Sequence, residues 1–308
     1  MFCQFAAKIV IATGFPLVNG QKSEIIDFVD PTFKCEIIHN IPARQGCLGA
    51  IIHNQILICG GANFQKRGLN YFQDGFIIGK PNLQVKMLEK RFKSSSVVFN
   101  ESTLWIIGGT NGLNSLYSTE FLSLNQPPFE GPDLPFCIHD HCVIQYDPNR
   151  IFVIGGMLNN SISDKTWIID PRNGFCLRKD PTLNIARAGH SCTLMKFKGR
   201  NLIVVAGGTT NGSKYLDSVE ILDPKSSEGW IFGPPLPLKI YGSALVPSPD
   251  ERGVILLGGD KGRRSYSNEI YYLDFVNKSW IRLDQTLKLP KEQFVALPIS
   301  NEIKLKMI

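Results

Sequence analysis

His139-x-His141 puts two imidazoles on one side of an extended segment, a spacing that could hold a metal ion. Two ligands alone make a poor site, so the pair is read as hydrogen-bonded and no metal or cofactor is expected. The eight cysteines contain no CxxC, which argues against a zinc cluster. Cys47, Cys142 and Cys192 lie 14 to 16 residues before the second glycine of a Gly-Gly pair. They are expected to share one buried strand position, with a Cys47–Cys59 disulfide across a hairpin as the alternative. The cysteine pattern fits a reducing, cytoplasmic compartment. G-x-S-x-G, H-E-x-x-H, P-loop and dinucleotide motifs are absent, so no catalytic residue is assigned and the chain is read as a non-enzyme. Carboxylates recur instead at similar places (Glu24, Glu120, Asp164, Asp217, Glu269), which points to structure. The remaining chemistry is cationic: Arg44, Lys66, Arg67, Arg91, Arg187, Arg263 and Arg264, with Lys93, Lys239 and Lys261 nearby. Tyr71, Tyr215, Tyr241 and Tyr266 are interleaved with them. Arginine forks match carboxylates, and tyrosine supplies rigid contact area.

What positions these residues is a repeat. Gly-Gly follows an apolar run at Gly60-Gly61, Gly108-Gly109, Gly155-Gly156, Gly207-Gly208 and Gly258-Gly259, and Gly14 ends a degenerate sixth copy. The second glycines are 47 to 52 residues apart, so six units nearly exhaust the 308 residues. Each unit reads as four short strands, a to d: strand b is the apolar run, strand c often ends in Asp-Pro, and strand d carries Phe129, Trp230 or Trp280. The expected boundaries are 1–42 plus 292–300, 43–90, 91–136, 137–184, 185–238 and 239–291, with 301–308 a tail. Residues 293–300 look like the strand a missing from the first unit, so the two chain ends should pair and close a ring.

Composition limits the alternatives. With 43% hydrophobic and only 19% charged residues the chain is not disordered. A net charge of +6 over this length is too dilute for a nucleic-acid footprint. The longest uncharged stretch, residues 45–65, has His53, Asn54 and Gln55 at its centre, which no membrane helix would tolerate. Four N-x-Ser sequons occur at Asn100, Asn159, Asn211 and Asn277, a number chance supplies.

Four strands repeated six times, with Gly-Gly after strand b and Trp on strand d, resembles the kelch β-propeller, without a BTB or F-box segment ahead of it. Residues 187–230 are nearest that pattern: Arg187-x-x-His190, Gly207-Gly208 and Trp230. The resemblance implies an all-β fold of six four-stranded antiparallel blades and a role in protein binding, as a substrate-recognition, scaffold, ubiquitin-ligase-adaptor-like or actin-associated module. It also implies an acidic partner segment on the face of b–c loops and d–a links, with Arg44 and Arg187 at the family's binding position. The alternative is a kelch-type oxidase or sugar-modifying enzyme with its site at the channel mouth.

Overall fold

A computed structural model describes residues 8–15, 22–28, 37–40, 42–65, 68–171 and 176–299. No α-helix occurs among them. They form six four-stranded antiparallel sheets, with a innermost and d outermost. Blade 1 is Val295–Ile299, Lys8–Ala12, Lys22–Asp27 and Ile37–Asn40, so the two ends of the chain share a sheet. Blade 2 is Leu48–Ile52, Gln55–Cys59, Asp74–Ile77 and Lys80–Lys86. Blade 3 is Ser95–Phe99, Thr103–Ile107, Thr119–Ser123 and Phe129–Glu130. Blade 4 is Cys142–Asp147, Arg150–Ile154, Thr166–Asp170 and Cys176–Asp180. Blade 5 is Ser191–Phe197, Arg200–Ala206, Val219–Leu222 and Trp230–Phe232. Blade 6 is Ala244–Pro247, Gly253–Leu257, Glu269–Asp274 and Ser279–Thr286. Two small extra sheets grow from the b–c loops of blades 2 and 4, which the repeat did not announce.

The core is not one mass but six apolar seams, each shared by two neighbouring blades. In blade 5, Val204 and Ala206 face blade 6 while Ile203 and Val205 face blade 4. A strand covered on both sides must be apolar at every position, which is why strand b reads as an unbroken run.

Two rings of backbone hydrogen bonds join the blades. In the first, the second glycine of each pair donates to the next blade's d–a link: Gly14, Gly61, Gly109, Gly156, Gly208 and Gly259 to the carbonyls of Arg44, Arg91, Ile138, Arg187, Ile240 and Lys291, at 2.7–2.8 Å. A Cβ on the first glycine would meet the same carbonyl at 2.5–2.8 Å, for example Gly207 against Ile240 O at 2.6 Å. A side-chain ring approaches only some of these glycines, whereas the carbonyl meets the first glycine of all five pairs. The second ring runs Gly46, Lys93, Asp140, Gly189, Gly242, Gln293 and back, each N–H donating to the preceding carbonyl at 2.7–3.2 Å. Every residue in it has φ between 50° and 62°. Glycine adopts that region freely; Lys93, Asp140 and Gln293 do so at a cost of about 1 kcal/mol each.

Candidate functional site

Three of the arginines expected to read a partner, Arg44, Arg91 and Arg187, are structural. Arg91 and Arg187 are 2% and 0% exposed. Arg187 pairs with Glu220 at 2.6 Å and donates to the carbonyls of Gly207 and Ser218 at 2.9 and 3.1 Å. Arg91 repeats this with Glu120, Gly108 O and Ser118 O. Arg44, also buried, bonds Asp74 at 2.6 Å and lies 3.8 Å over the Phe72 ring. Their guanidiniums hold the Gly-Gly corner of their own blade and are withdrawn from any docking face. Lys291 does likewise with Glu24 at 3.0 Å.

These pairs obey a rule in every blade but the second, where Phe76 holds the glutamate's register position and Arg44 turns to the exposed Asp74. Glu24, Glu120 and Glu220 also accept the link N–H of Lys288, Leu88 and Asn184. In blades 4 and 6 the link residue is Pro135 or Pro237, which has no N–H. There the cation becomes Ile138 or Ile240, and the glutamate becomes Trp167 or Tyr271 by strand register. Outside blade 2, link, cation and carboxylate change together, as burial requires. The spacing of those prolines was a readable signal for it.

At the mouth of the axial channel the three strained ring residues converge. Lys93 Nζ donates to Asp140 Oδ2 and to Tyr241 Oη, both at 2.7 Å. Gln293 Nε2 donates to the same hydroxyl at 3.1 Å. Lys93 and Tyr241 stand on blades 3 and 6, opposite each other across the axis. Burial alone would lower the Lys93 pKa, but Asp140 and Tyr241 more than offset it and raise it. Tyr241 stacks on Tyr215 with centroids 5.5 Å apart, and Tyr215 donates to Asp260 at 2.8 Å. Above this group opens a cavity of about 790 Å³, walled by the b–c loops of blade 4 (residues 157–162) and blade 5 (residues 209–215). Below it the channel continues as a space of about 180 Å³. Lys93, Asp140, Tyr241 and Gln293 line both, so they form a septum. Of the expected site residues, Tyr215 and Tyr241 are here; Asp140 and Gln293 were not foreseen.

Lys214, Lys261, Arg263 and Arg264 are exposed on the b–c loops of blades 5 and 6, with no carboxylate paired to them among the described residues. Lys239 is exposed on the blade 6 link. Lys66 and Arg67, like the tail at 301–308, lie outside the described residues.

The cysteines depart from expectation. Strand pairing puts Cys142 opposite Ile154 and Cys192 opposite Val205, and Cys47 lies one residue before Leu48, which is opposite Cys59. They therefore occupy three successive register positions and not one, because the a–b hairpins differ in length. Cys142 and Cys192 form a disulfide between the inner strands of blades 4 and 5, with Cα atoms 6.2 Å apart. Cys47 and Cys59 stay free, and burial pushes the Cys47 thiol up to about 12. Disulfides belong to oxidising surroundings, so the cysteines do not carry the cytoplasmic expectation. Burial lowers His141 and His190 to about 3, leaving both imidazoles neutral, and it lowers His139 as well. His139 Nδ1 is 2.9 Å from Ser115 Oγ. Among the described residues no cluster of three or more His, Cys, Asp or Glu could hold a metal. No helix among them is long and apolar enough to cross a membrane.

Glu292, 8% exposed, immediately precedes the ring residue Gln293 and lies near Asp260. Burial first, and Asp260 second, push its carboxyl up to about 7. The folded protein then binds a proton that the unfolded chain releases near pH 4.5. Stability is therefore expected to fall by about 1–3 kcal/mol between pH 5 and pH 8 through this group. Glu292→Gln should flatten that slope in urea unfolding; an unchanged slope would show that Glu292 is ionised throughout.

Six four-stranded sheets around an axis, closed by pairing the chain ends, define a β-propeller. The Kelch motif family matches residues 199–237. Kelch repeat and BTB domain-containing protein 2 of cowpox virus (strain GRI-90 / Grishak) is 31% identical over 131 residues, 41% of this chain and 23% of that protein. Kelch-like protein 40a of Danio rerio is 29% identical over 129 residues, 40% of this chain and 20% of that protein. The matched segment thus spans less than a quarter of these curated relatives. The solved structure of YjhT superposes with a TM-score of 0.72 over 90% of this chain and 95% of that one, at 13% identity, a likeness of fold alone. The chain is a β-propeller that carries a Kelch motif and is similar in sequence to kelch proteins over about two fifths of its length.

Proposed function

We propose that this propeller is a non-catalytic binding module that recruits an acidic segment of a partner protein, as a scaffold or substrate-recognition component. The supporting observation is the set Lys214, Lys261, Arg263 and Arg264, exposed and without carboxylate partners among the described residues, beside the cavity walled by Tyr215. Long-range attraction from such a rim speeds encounter and selects for acidic surfaces. The relatives' printed names associate kelch repeats with BTB domains, which fits a recruiting role. The test is fluorescence anisotropy with labelled acidic peptides. Replacing all four cations with Gln should weaken capture at least about tenfold and flatten its salt dependence. Equal capture would sink the rim as the docking site.

The second reading is an enzyme at the channel mouth. It draws on Glu292, whose Oε2 is buried without a hydrogen-bond partner and whose carboxyl is raised to about 7, a suitable value for a general acid or base. Turnover of a small substrate that Glu292→Gln abolishes would favour it.

A further inference from the structure

Lysine has three N–H donors, and Lys93 uses two, on Asp140 and Tyr241. Asp140 Oδ2 takes the lysine, while Oδ1 has only a 3.4 Å contact from Tyr241 Oη. The floor of the cavity therefore presents one spare ammonium donor beside one spare carboxylate acceptor, as a pair of zero net charge. Three non-glycine residues are held in the left-handed region to build it, at ring positions where Gly46, Gly189 and Gly242 suffice for the backbone. Strain concentrated on one constellation is the usual mark of a functional site.

We infer that the cavity between blades 4 and 5 binds a carboxamide, its C=O accepting from Lys93 and its N–H donating to Asp140. A carboxylate in that place would face Asp140, and an ammonium would face Lys93, so the ion pair rejects both charged isosteres. The Tyr215 ring and Met157 and Ile162 on the walls suit an aliphatic stem leading to the amide. The site rests on the binding-module reading and adds to it: acidic residues of the partner meet the rim, and an Asn or Gln side chain enters the cavity.

Two probes differing in one group test this, N-acetylglutamine methylamide and N-acetylglutamate methylamide, followed by NMR titration. The glutamine probe should bind at least about tenfold tighter. Lys93→Gly should lose that preference, and Asp140→Asn should reverse it, because the ammonium is then unopposed. Both variants suit the left-handed backbone, so the ring should persist, which a thermal melt checks. Equal affinities, a preference for the glutamate probe, or no binding by either overturns the inference, as does an Asp140→Asn protein with unaltered preference. Acidic peptides with the rim variant read the broader function separately: capture of the amide probe without capture of any acidic peptide removes that function and keeps this site.

Discussion

Arg187→Met is expected to lower the unfolding free energy by about 3–5 kcal/mol, the usual cost of breaking a buried ion pair from one side. The loss has three parts. Glu220, fully buried, keeps the N–H groups of Asn184 and Ile185 but loses its guanidinium. The carbonyl of Gly207 loses the guanidinium donor, and that of Ser218 keeps only the Gly207 N–H. A space opens at the corner where blade 5 turns toward blade 6. The pair itself is not indispensable, because blade 6 manages without one. Copying its Pro237, Ile240 and Tyr271 into blade 5, as Asn184→Pro, Arg187→Ile and Glu220→Tyr together, removes cation, carboxylate and link N–H at once. The triple variant should return to within about 1–2 kcal/mol of the parent. Urea unfolding followed by tryptophan fluorescence measures both. A cost under about 1 kcal/mol for Arg187→Met would mean that water reaches Glu220.

Gly207→Ala should cost about 3 kcal/mol. The left-handed backbone at φ 66° contributes part. The rest comes from a methyl 2.6 Å from Ile240 O, which must push the seam open and stretch the bond from Gly208 N. Gly199 is the control, with φ 77° and nothing within 4 Å of an added Cβ. Gly199→Ala should cost only the backbone part, about 1–2 kcal/mol. The difference between the two isolates the seam contact. Equal costs would show that the seam yields.

The seams were legible in the sequence because sterics leave one residue type at the corner and burial on both faces leaves only apolar types in strand b. The pairing of Lys8–Ala12 with Val295–Ile299 was legible for the same reason, since an apolar strand without a partner needs one. The site was harder. Arg187 and Arg263 both read as loop cations; only the glutamate and the link proline tell which is buried. Lys93, Asp140, Tyr241 and Gln293 are far apart in the chain, and nothing local announces a left-handed lysine. Ring closure alone brings them together. The cysteines misled because hairpin length, invisible in a glycine count, moved each to a different register.

The bonds that fasten one blade to the next at the Gly-Gly corner are main-chain to main-chain, and the carbonyl of Arg91 or of Ile138 accepts the glycine N–H equally well. The side-chain chemistry of that corner is closed inside each blade. A mutation there must be answered by its own repeat and seldom by the neighbour. Such a ring can diversify one sector at a time, with the other five holding the frame, and its repeats can drift apart in sequence without losing the circle.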